Sequence, residues 1–264
     1  MEQADTTRRI AMELTYDGAL YHGWQRQNNG LSVQQKVEEV LTERTGRSVR
    51  VTGCSRTDAG VHALSYILHF DSDTRIPVEK LADAFNSSHP DGIIAKRAWR
   101  VDDEFHARYS AMGKTYRYAF WNARTRSPFT EKYSWHIPYP LDIVQMQKAC
   151  DIFVGRHDFA GFMAAGGSQK TTVRTVKRCE VFADPQWEEL WIMEIEADGF
   201  LYNMVRIIAG TLAAVGSGKI SGEELPDILA SRDRNRAGQT APPQGLFLKE
   251  IYYDANGREC DEIS

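Results

Sequence analysis

The 264-residue sequence predicts an α+β fold with a mostly antiparallel sheet. Three observations carry that expectation. Strand-like and helix-like segments mix without strict βαβ alternation. Each half of the chain holds several strand candidates and at least two helix candidates. No internal repeat or low-complexity linker interrupts them, so two halves would be tightly joined.

The elements read in order as follows. Arg9–Tyr16 reads as a strand and stops at the turn pair Asp17-Gly18. Ser32 to Arg44 is a predicted helix, with Val33, Val37, Val40 and Leu41 on one face. Ser32 and Gln35 predict a reciprocal capping box, and Gly46 the stop. Strand-like runs at 48–52 and 61–70 flank a polar turn. Pro77 opens a second helix through Leu81, Ala84 and Phe85, and Ile93–Val101 follows as a strand. Near Ala111–Gly113 a charged segment ends and a new strand begins. That places a domain seam there, with an N-terminal α+β domain over 1–112 and a C-terminal one over 113–264.

In the second half, Thr115–Trp121 alternates, with Tyr116, Tyr118 and Phe120 on one face. Asp142–Val154 is a helix capped by Asp142 and closed by Gly155. Val173–Phe182 and Leu190–Ala197 are strands around a loop containing Asp184-Pro185. Asn203–Val215 is an apolar helix ending at Gly216. A shorter helix is expected near Ser221–Ala230, where Pro226 puts the first turn in doubt. Leu246–Tyr253 closes the chain as a strand.

Composition narrows the class. Hydrophobic residues make up 42% and charged residues 26%, as in an ordinary globular protein. No apolar run approaches the ~20 residues that span a bilayer, and the first nine residues lack an apolar signal core. Cys54, Cys150, Cys179 and Cys260 are scattered, which predicts free thiols in a reducing cytoplasm. His62, His69, His106, His136 and His157 lack metal-ligand spacing, so no metal is expected. Neither G-x-G-x-x-G nor G-x-x-x-x-G-K-[ST] occurs, which gives no case for a nucleotide cofactor.

The net charge of −4 argues against a nucleic-acid partner, but the distribution of charge allows one. Arg97, Arg100, Arg108, Lys114, Arg117, Arg124 and Arg126 are opposed locally only by Asp102, Asp103 and Glu104. Lys170, Arg174, Lys177 and Arg178 form a second basic run. The acids collect at Glu38–Glu43, Asp184–Asp198 and Asp254–Glu262. Such runs make either solvated faces or a basic groove on an acidic body.

Four side chains stand out. Asp58 and Arg56 share the turn Gly53-Cys-Ser-Arg-Thr-Asp-Ala-Gly-Val-His-Ala63, where Asp58 is either a turn former or a reactive carboxylate. Arg206 lies in the apolar run Met204-Val205-Arg206-Ile207-Ile208, so it snorkels to solvent or meets a carboxylate, Asp58 being the best candidate. Tyr116 is either core or, flanked by Lys114 and Arg117, a platform for a nucleobase. The loop Tyr21-His-Gly-Trp-Gln-Arg-Gln27 mixes aromatics and amides around an expected Trp24 anchor. Ser55 has no obvious base, and a two-carboxylate hydrolase would want a second acid that the Asp58 turn does not supply.

The motifs YDGALYHGWQRQ (16–27), SVQQ (32–35), GCSRTDAGVHA (53–63), FHARYSAMGKTYRY (105–118), RHDFAGF (156–162), FLYNMVRIIAGTL (200–212) and AGQTAPPQGLFL (237–248) run in order along the chain. Together they resemble the TruA family of tRNA pseudouridine synthases. The resemblance implies the pseudouridine synthase fold, two α+β halves meeting in a central cleft, in a homodimer that grips one tRNA. It implies isomerisation of uridine at positions 38, 39 and 40 of the anticodon stem-loop, without a cofactor. Asp58 then resembles the essential aspartate, Arg56 the arginine that fills the space left by the flipped base, and Tyr116 the tyrosine that packs on the uracil. Arg206 resembles the aspartate's partner and Leu246 the apolar lining of the base pocket. Lys114, Lys170 and Arg174 are further candidates for RNA contact. Cys54 and Ser55 stand where many members carry Ala and Gly. Asp58 would attack C6 of the ring or C1′ of the ribose, or remove the C2′ proton, and Tyr116 is a candidate for taking the C5 proton. A non-catalytic RNA-binding protein on the same scaffold would keep the basic runs without needing Asp58.

Overall fold

The computed structural model describes residues 7–167 and 170–254. Cys260 and most of the acidic tail lie outside the described residues. Among those described, ten strands pair mostly antiparallel, and five α-helices accompany them, which is the α+β class expected from the sequence. Contacts group the chain into two compact units: residues 7–112 with 248–254, and residues 113–247. The chain therefore returns to the first unit for its last strand. Among the described residues no helix is long and apolar enough to cross a membrane.

The first unit is built on strands β1 (Arg8–Tyr16), β2 (Thr52–Gly53), β3 (His62–Ser72) and β4 (Ile93–Arg100), and on the part of β10 (Leu246–Tyr253) from Leu248 onward. Their order is β4-β1-β3-β10, with β2 on β3. β1 pairs antiparallel with β3 (Ile10↔Phe70) and with β4 (Met12↔Ala98). Helix α1 (Val33–Thr45) buries Val33, Val37, Val40 and Leu41, the face its spacing predicts. The Ser32 hydroxyl accepts from the Gln35 amide at 3.2 Å. The predicted return bond to the Ser32 amide is absent, and the Gln35 side-chain amide donates to Glu39 at 2.9 Å. Gly46 ends the helix at φ 71, the left-handed geometry a C-terminal cap requires. After Pro77 a single 3-10 turn precedes helix α2 (Leu81–Asn86), which buries Leu81, Ala82 and Phe85.

The second unit holds β5 (Ala111–Asn122, from Gly113 on), β6 (Trp135–Ile137), β7 (Gly155–Asp158), β8 (Val173–Ala183) and β9 (Leu190–Ala197). The order is β5-β9-β8-β7, with β6 beside β5 in parallel. Helix α3 (Ile143–Phe153) is capped by Asp142, whose carboxylate accepts from the Gln145 amide at 3.0 Å, and packs on β8. Helix α4 (Met204–Gly216) is buried on nearly every side, which explains its all-apolar sequence. Helix α5 (Leu225–Ser231) tolerates Pro226 because that residue falls in its first turn, where no intrahelical N–H is needed. The short strands β6 and β7 were not expected: three or four residues hold too little pattern to register. Both faces of β5 are covered, since Ala119 and Trp121 form a small apolar cluster with Leu190 and Ile192.

Candidate active site

In the first unit the Asp58 turn is fastened at several points. The Cys54 amide donates to the Ile67 carbonyl at 2.9 Å, and the Tyr66 hydroxyl donates to the Ser55 carbonyl. The Trp24 amide donates to the Thr57 carbonyl at 3.1 Å. The buried Thr57 side chain shares a 2.8 Å hydrogen bond with the Tyr16 hydroxyl. The turn then closes through the Val61 amide on the Asp58 carbonyl at 3.1 Å, with Gly60 at φ 78. Beneath it, the Tyr16, Trp24 and Tyr66 rings pack together, Trp24 and Tyr66 stacking at 4.1 Å. Two glycines let the backbone approach. A Cβ on Gly18 would lie 1.9 Å from the Val61 carbonyl oxygen, and one on Gly23 would lie 2.6 Å from that of Thr57. His62 is buried, and its Nδ1 lies 3.1 Å from the Gly18 amide and 3.0 Å from an Asp17 carboxylate oxygen.

This scaffold decides how the two polar side chains of the turn stand. Thr57 is buried and anchored. Asp58 is half-buried, and Arg56 is exposed. No hydrogen bond or ion pair holds the Arg56 guanidinium among the described residues, which leaves it free to swing. A half-buried carboxylate on an over-determined turn is pre-positioned for chemistry. A simple surface turn former needs no such anchorage.

The second unit assembles the other candidates. Tyr116 on β5 is buried and meets Phe200 edge-on at 5.0 Å. Tyr118, two residues on, is fully buried, and its hydroxyl donates to the Pro242 carbonyl at 2.8 Å. Burial holds that phenol well above its ordinary pKa, so it stays a neutral donor. Gly245 sits against the Tyr118 ring, where a Cβ would come within 2.7 Å of it, and Leu246 follows, buried. Arg206 is half-buried in the first turn of α4. Its Nε donates to the Ala241 carbonyl at 2.7 Å and one terminal nitrogen to Asn203 Oδ1 at 2.8 Å.

The segment 238–246 therefore ties α4 to β5. Gly238 and Gly210 permit the contact: a Cβ on Gly210 would fall 1.8 Å from the Gln239 carbonyl oxygen. The Arg206 carbonyl in turn accepts from the Ala241 amide at 3.0 Å. A cation is disfavoured at the positive end of a helix. The backbone and amide acceptors offset that cost and fix the guanidinium in place. Asn203 itself is at φ 59, a conformation asparagine tolerates better than most residues.

Sequence reasoning missed the supporting residues, namely Thr57, Tyr16 and Tyr66 in the first unit and Asn203, Ala241 and Tyr118 in the second. The one available signal was the glycines within the quoted motifs, which mark close backbone approach. The basic runs also carry less free charge than their sequence suggests. Arg97 pairs with Glu13 at 3.0 Å, Arg117 with Asp184 at 2.9 Å, Arg126 with Glu131 at 2.8 Å and Lys177 with Glu196 at 3.4 Å. Arg174 donates to the Thr171 carbonyl at 2.9 Å and the Val173 carbonyl at 2.5 Å. Lys170 is exposed, and Lys114 is half-buried on β5.

The tRNA pseudouridine synthase family profile matches residues 13–110 and 149–254, and so takes in the Asp58 turn, α4 and the closing strand. The tRNA pseudouridine synthase A of Thermoanaerobacter sp. (strain X514) is 48% identical over 246 residues, 93% of this chain and all of that protein. The same-named protein of Ruminiclostridium cellulolyticum is 47% identical, and that of Geotalea daltonii 43%, over the same shares. With matches of that extent across both units, the chain belongs to the tRNA pseudouridine synthase family, isomerases that act on uridine in tRNA.

Proposed function

We propose that this protein converts uridine to pseudouridine at positions 38, 39 and 40 of the tRNA anticodon stem-loop, with Asp58 as the reacting carboxylate. The observation that carries the reading is the anchored Asp58 turn, lying inside a family match that spans both units. A stacked or paired uridine must leave the helix to react, at a cost of a few kcal/mol. Arg56, unrestrained and exposed, takes the place of the flipped base and contacts the neighbouring phosphate. Tyr116 and Leu246 of the second unit pack on the uracil. Arg206, its guanidinium fixed by Ala241 and Asn203, is the cation we propose as partner to the reacting carboxylate.

The chemistry is an isomerisation. The N1–C1′ bond breaks, the uracil turns within its pocket, and a C5–C1′ bond forms. C5 loses its proton and N1 gains one, so the products balance the reactant with no redox change. Tyr116 is the group we propose to take the C5 proton. Lys114, Lys170 and Arg174 meet phosphates outside the base pocket. The working unit is a homodimer holding one tRNA, in the cytoplasm.

The test is pseudouridine formation in an unmodified tRNA bearing uridines at 38–40, with no cofactor added. Wild type makes product. Asp58→Asn makes none, while binding tRNA within about twofold of wild type. Full activity in Asp58→Asn would remove the carboxylate from the mechanism.

A further inference from the structure

The first unit contains a cavity of about 230 Å³ beside Arg56, and of its wall the reaction described above uses Arg56 alone. Its wall includes Trp24, Gln25, Arg56, His106, Arg108 and Tyr109. The volume is below the roughly 300 Å³ at which sites for drug-sized ligands begin. It suits one planar ring with its substituents rather than a larger molecule.

The wall has the make-up of a nucleotide site. Tyr109 is 76% exposed, an unusual state for a ring in a folded protein, and no hydrogen bond is made by its hydroxyl among the described residues. Its ring is nonetheless held by two neighbours. The His106 ring lies 4.3 Å away at 32°, and the Arg108 guanidinium lies over it at 5.7 Å. His106 is itself set by two amides, those of Arg108 and Tyr109, which both donate to its Nδ1 at 3.2 Å. The proton is therefore on Nε2. Burial, with Arg9 and Arg108 nearby, holds the ring's pKa below its ordinary value.

Gln25 supplies the polar edge. Its amide nitrogen donates to Gln34 Oε1 at 2.9 Å, and that oxygen also accepts from the Arg26 amide at 3.0 Å. Gln34 is locked in turn by donating to the Val51 carbonyl at 3.1 Å. The Gln25 carbonyl oxygen is thus oriented and still able to accept. The wall is also cationic. Arg56 and Arg108 both line it, and neither has an acidic partner among the described residues, unlike Arg9, Arg97 and Arg117.

We infer that this cavity holds a second, unpaired nucleotide of the tRNA, its base stacked on Tyr109 and its phosphate between Arg56 and Arg108. The inference rests on the tRNA reading above and extends it. Arg56 belongs to the Asp58 turn and to this wall at once. Filling the cavity therefore draws Arg56 toward the strand at the moment the target base leaves. The nucleotide is one that borders the flipped uridine in the chain, because Arg56 and Asp58 are two residues apart.

The experiment measures binding of an anticodon stem-loop RNA carrying a single abasic nucleotide, moved one position at a time through the loop and upper stem. The protein is the Asp58→Asn variant, so that no turnover intervenes, with and without Tyr109→Ala. Stacking on an aromatic side chain supports a loss of about 5- to 100-fold when it is removed. The expected result is a loss of that size at one position besides the target. Tyr109→Ala should lose the same factor with intact RNA and become indifferent to the abasic change there. Tyr109→Trp should restore the sensitivity.

Tyr109 is exposed, so its replacement leaves the thermal midpoint unchanged, and folding does not confound the reading. An abasic profile identical with and without Tyr109 overturns the inference. Product formation by wild type is followed separately. Product together with identical profiles refutes the pocket and leaves the synthase reading standing. Position-specific coupling to Tyr109 with no product supports the pocket and refutes the synthase reading.

Discussion

Gly18→Ala tests whether the Asp58 turn is positioned by its backing rather than by its own sequence. The added methyl would lie 1.9 Å from the Val61 carbonyl oxygen and 2.5 Å from its carbon, where ordinary contact begins near 3.4 Å. About 1.5 Å must open, and both sides of the gap are backbone. Overpacking of this kind costs about 1–3 kcal/mol. For domains of 150–250 residues each kcal/mol lowers the melting temperature by about 2–4 °C. Val61 closes the turn by donating to the Asp58 carbonyl at 3.1 Å, so the displacement reaches the carboxylate. A misplacement of about 1 Å at a reacting group can cost about 100-fold in rate. The expected result is a loss of several degrees in melting temperature and about 100-fold in kcat, with tRNA affinity within about threefold. Gly46→Ala is the control. Nothing lies within 4 Å of its Cβ, but its φ of +71 strains an alanine, so it should cost about 1 kcal/mol of stability and no activity. Wild-type kcat in Gly18→Ala, with the expected destabilisation present, would refute the positioning argument.

Two further outcomes are expected. Burial pushes the His69 imidazole down to about 4 from an ordinary 6.5, with Arg9 and His106 adding to the shift, so the folded state holds it neutral. The unfolded chain takes up the proton first. Stability is then full above pH 6.5 and falls as pH drops toward 4, by about 1–2 kcal/mol after allowance for solvent screening. His69→Gln should flatten a plot of melting temperature against pH across that window, and an unchanged slope would acquit His69. Lys170→Ala should reduce the slope of log affinity against log salt by about 1 if its exposed ammonium meets a phosphate, as a titration from 50 to 200 mM salt would read.

The sequence was most informative where one level of structure decides the outcome. Helical spacing alone placed α1 and its buried face, and the strands read at Leu190–Ala197 and Leu246–Tyr253 are β9 and β10 to the residue. Legibility fell where an outcome depends on a distant partner. Ser32 capped its helix as read, yet Gln35 turned away to Glu39, because both bonds were locally available and the choice was set on the helix surface. The basic run over Arg97–Arg126 looked free in one dimension, but strand pairing brought Glu13 and Asp184 to it. Asp58 and Arg56 could be singled out by residue type. What holds them could not, because Tyr16 and Trp24 lie 30 or more residues upstream, and only the folded sheet brings them beneath the turn. Arg206 posed a dilemma between solvent and a carboxylate. The structure adds a third resource, the Ala241 carbonyl and Asn203, which no spacing rule predicts.

The return of the chain to the first unit for β10 has a consequence for how the protein is made. On the ribosome the second unit, residues 113–247, emerges as one uninterrupted stretch and can fold as soon as it clears the exit tunnel. The first unit begins earlier but finishes last. Its β3 lacks a neighbour until Leu248–Tyr253 has been translated, as does the corner where the Tyr253 hydroxyl donates to the Ala107 carbonyl at 2.6 Å and its ring meets Phe105. Throughout synthesis of more than half the polypeptide, the half that carries Asp58 waits with an open sheet edge. A premature stop at or before Leu248 would therefore strike the oldest part of the nascent chain rather than the newest.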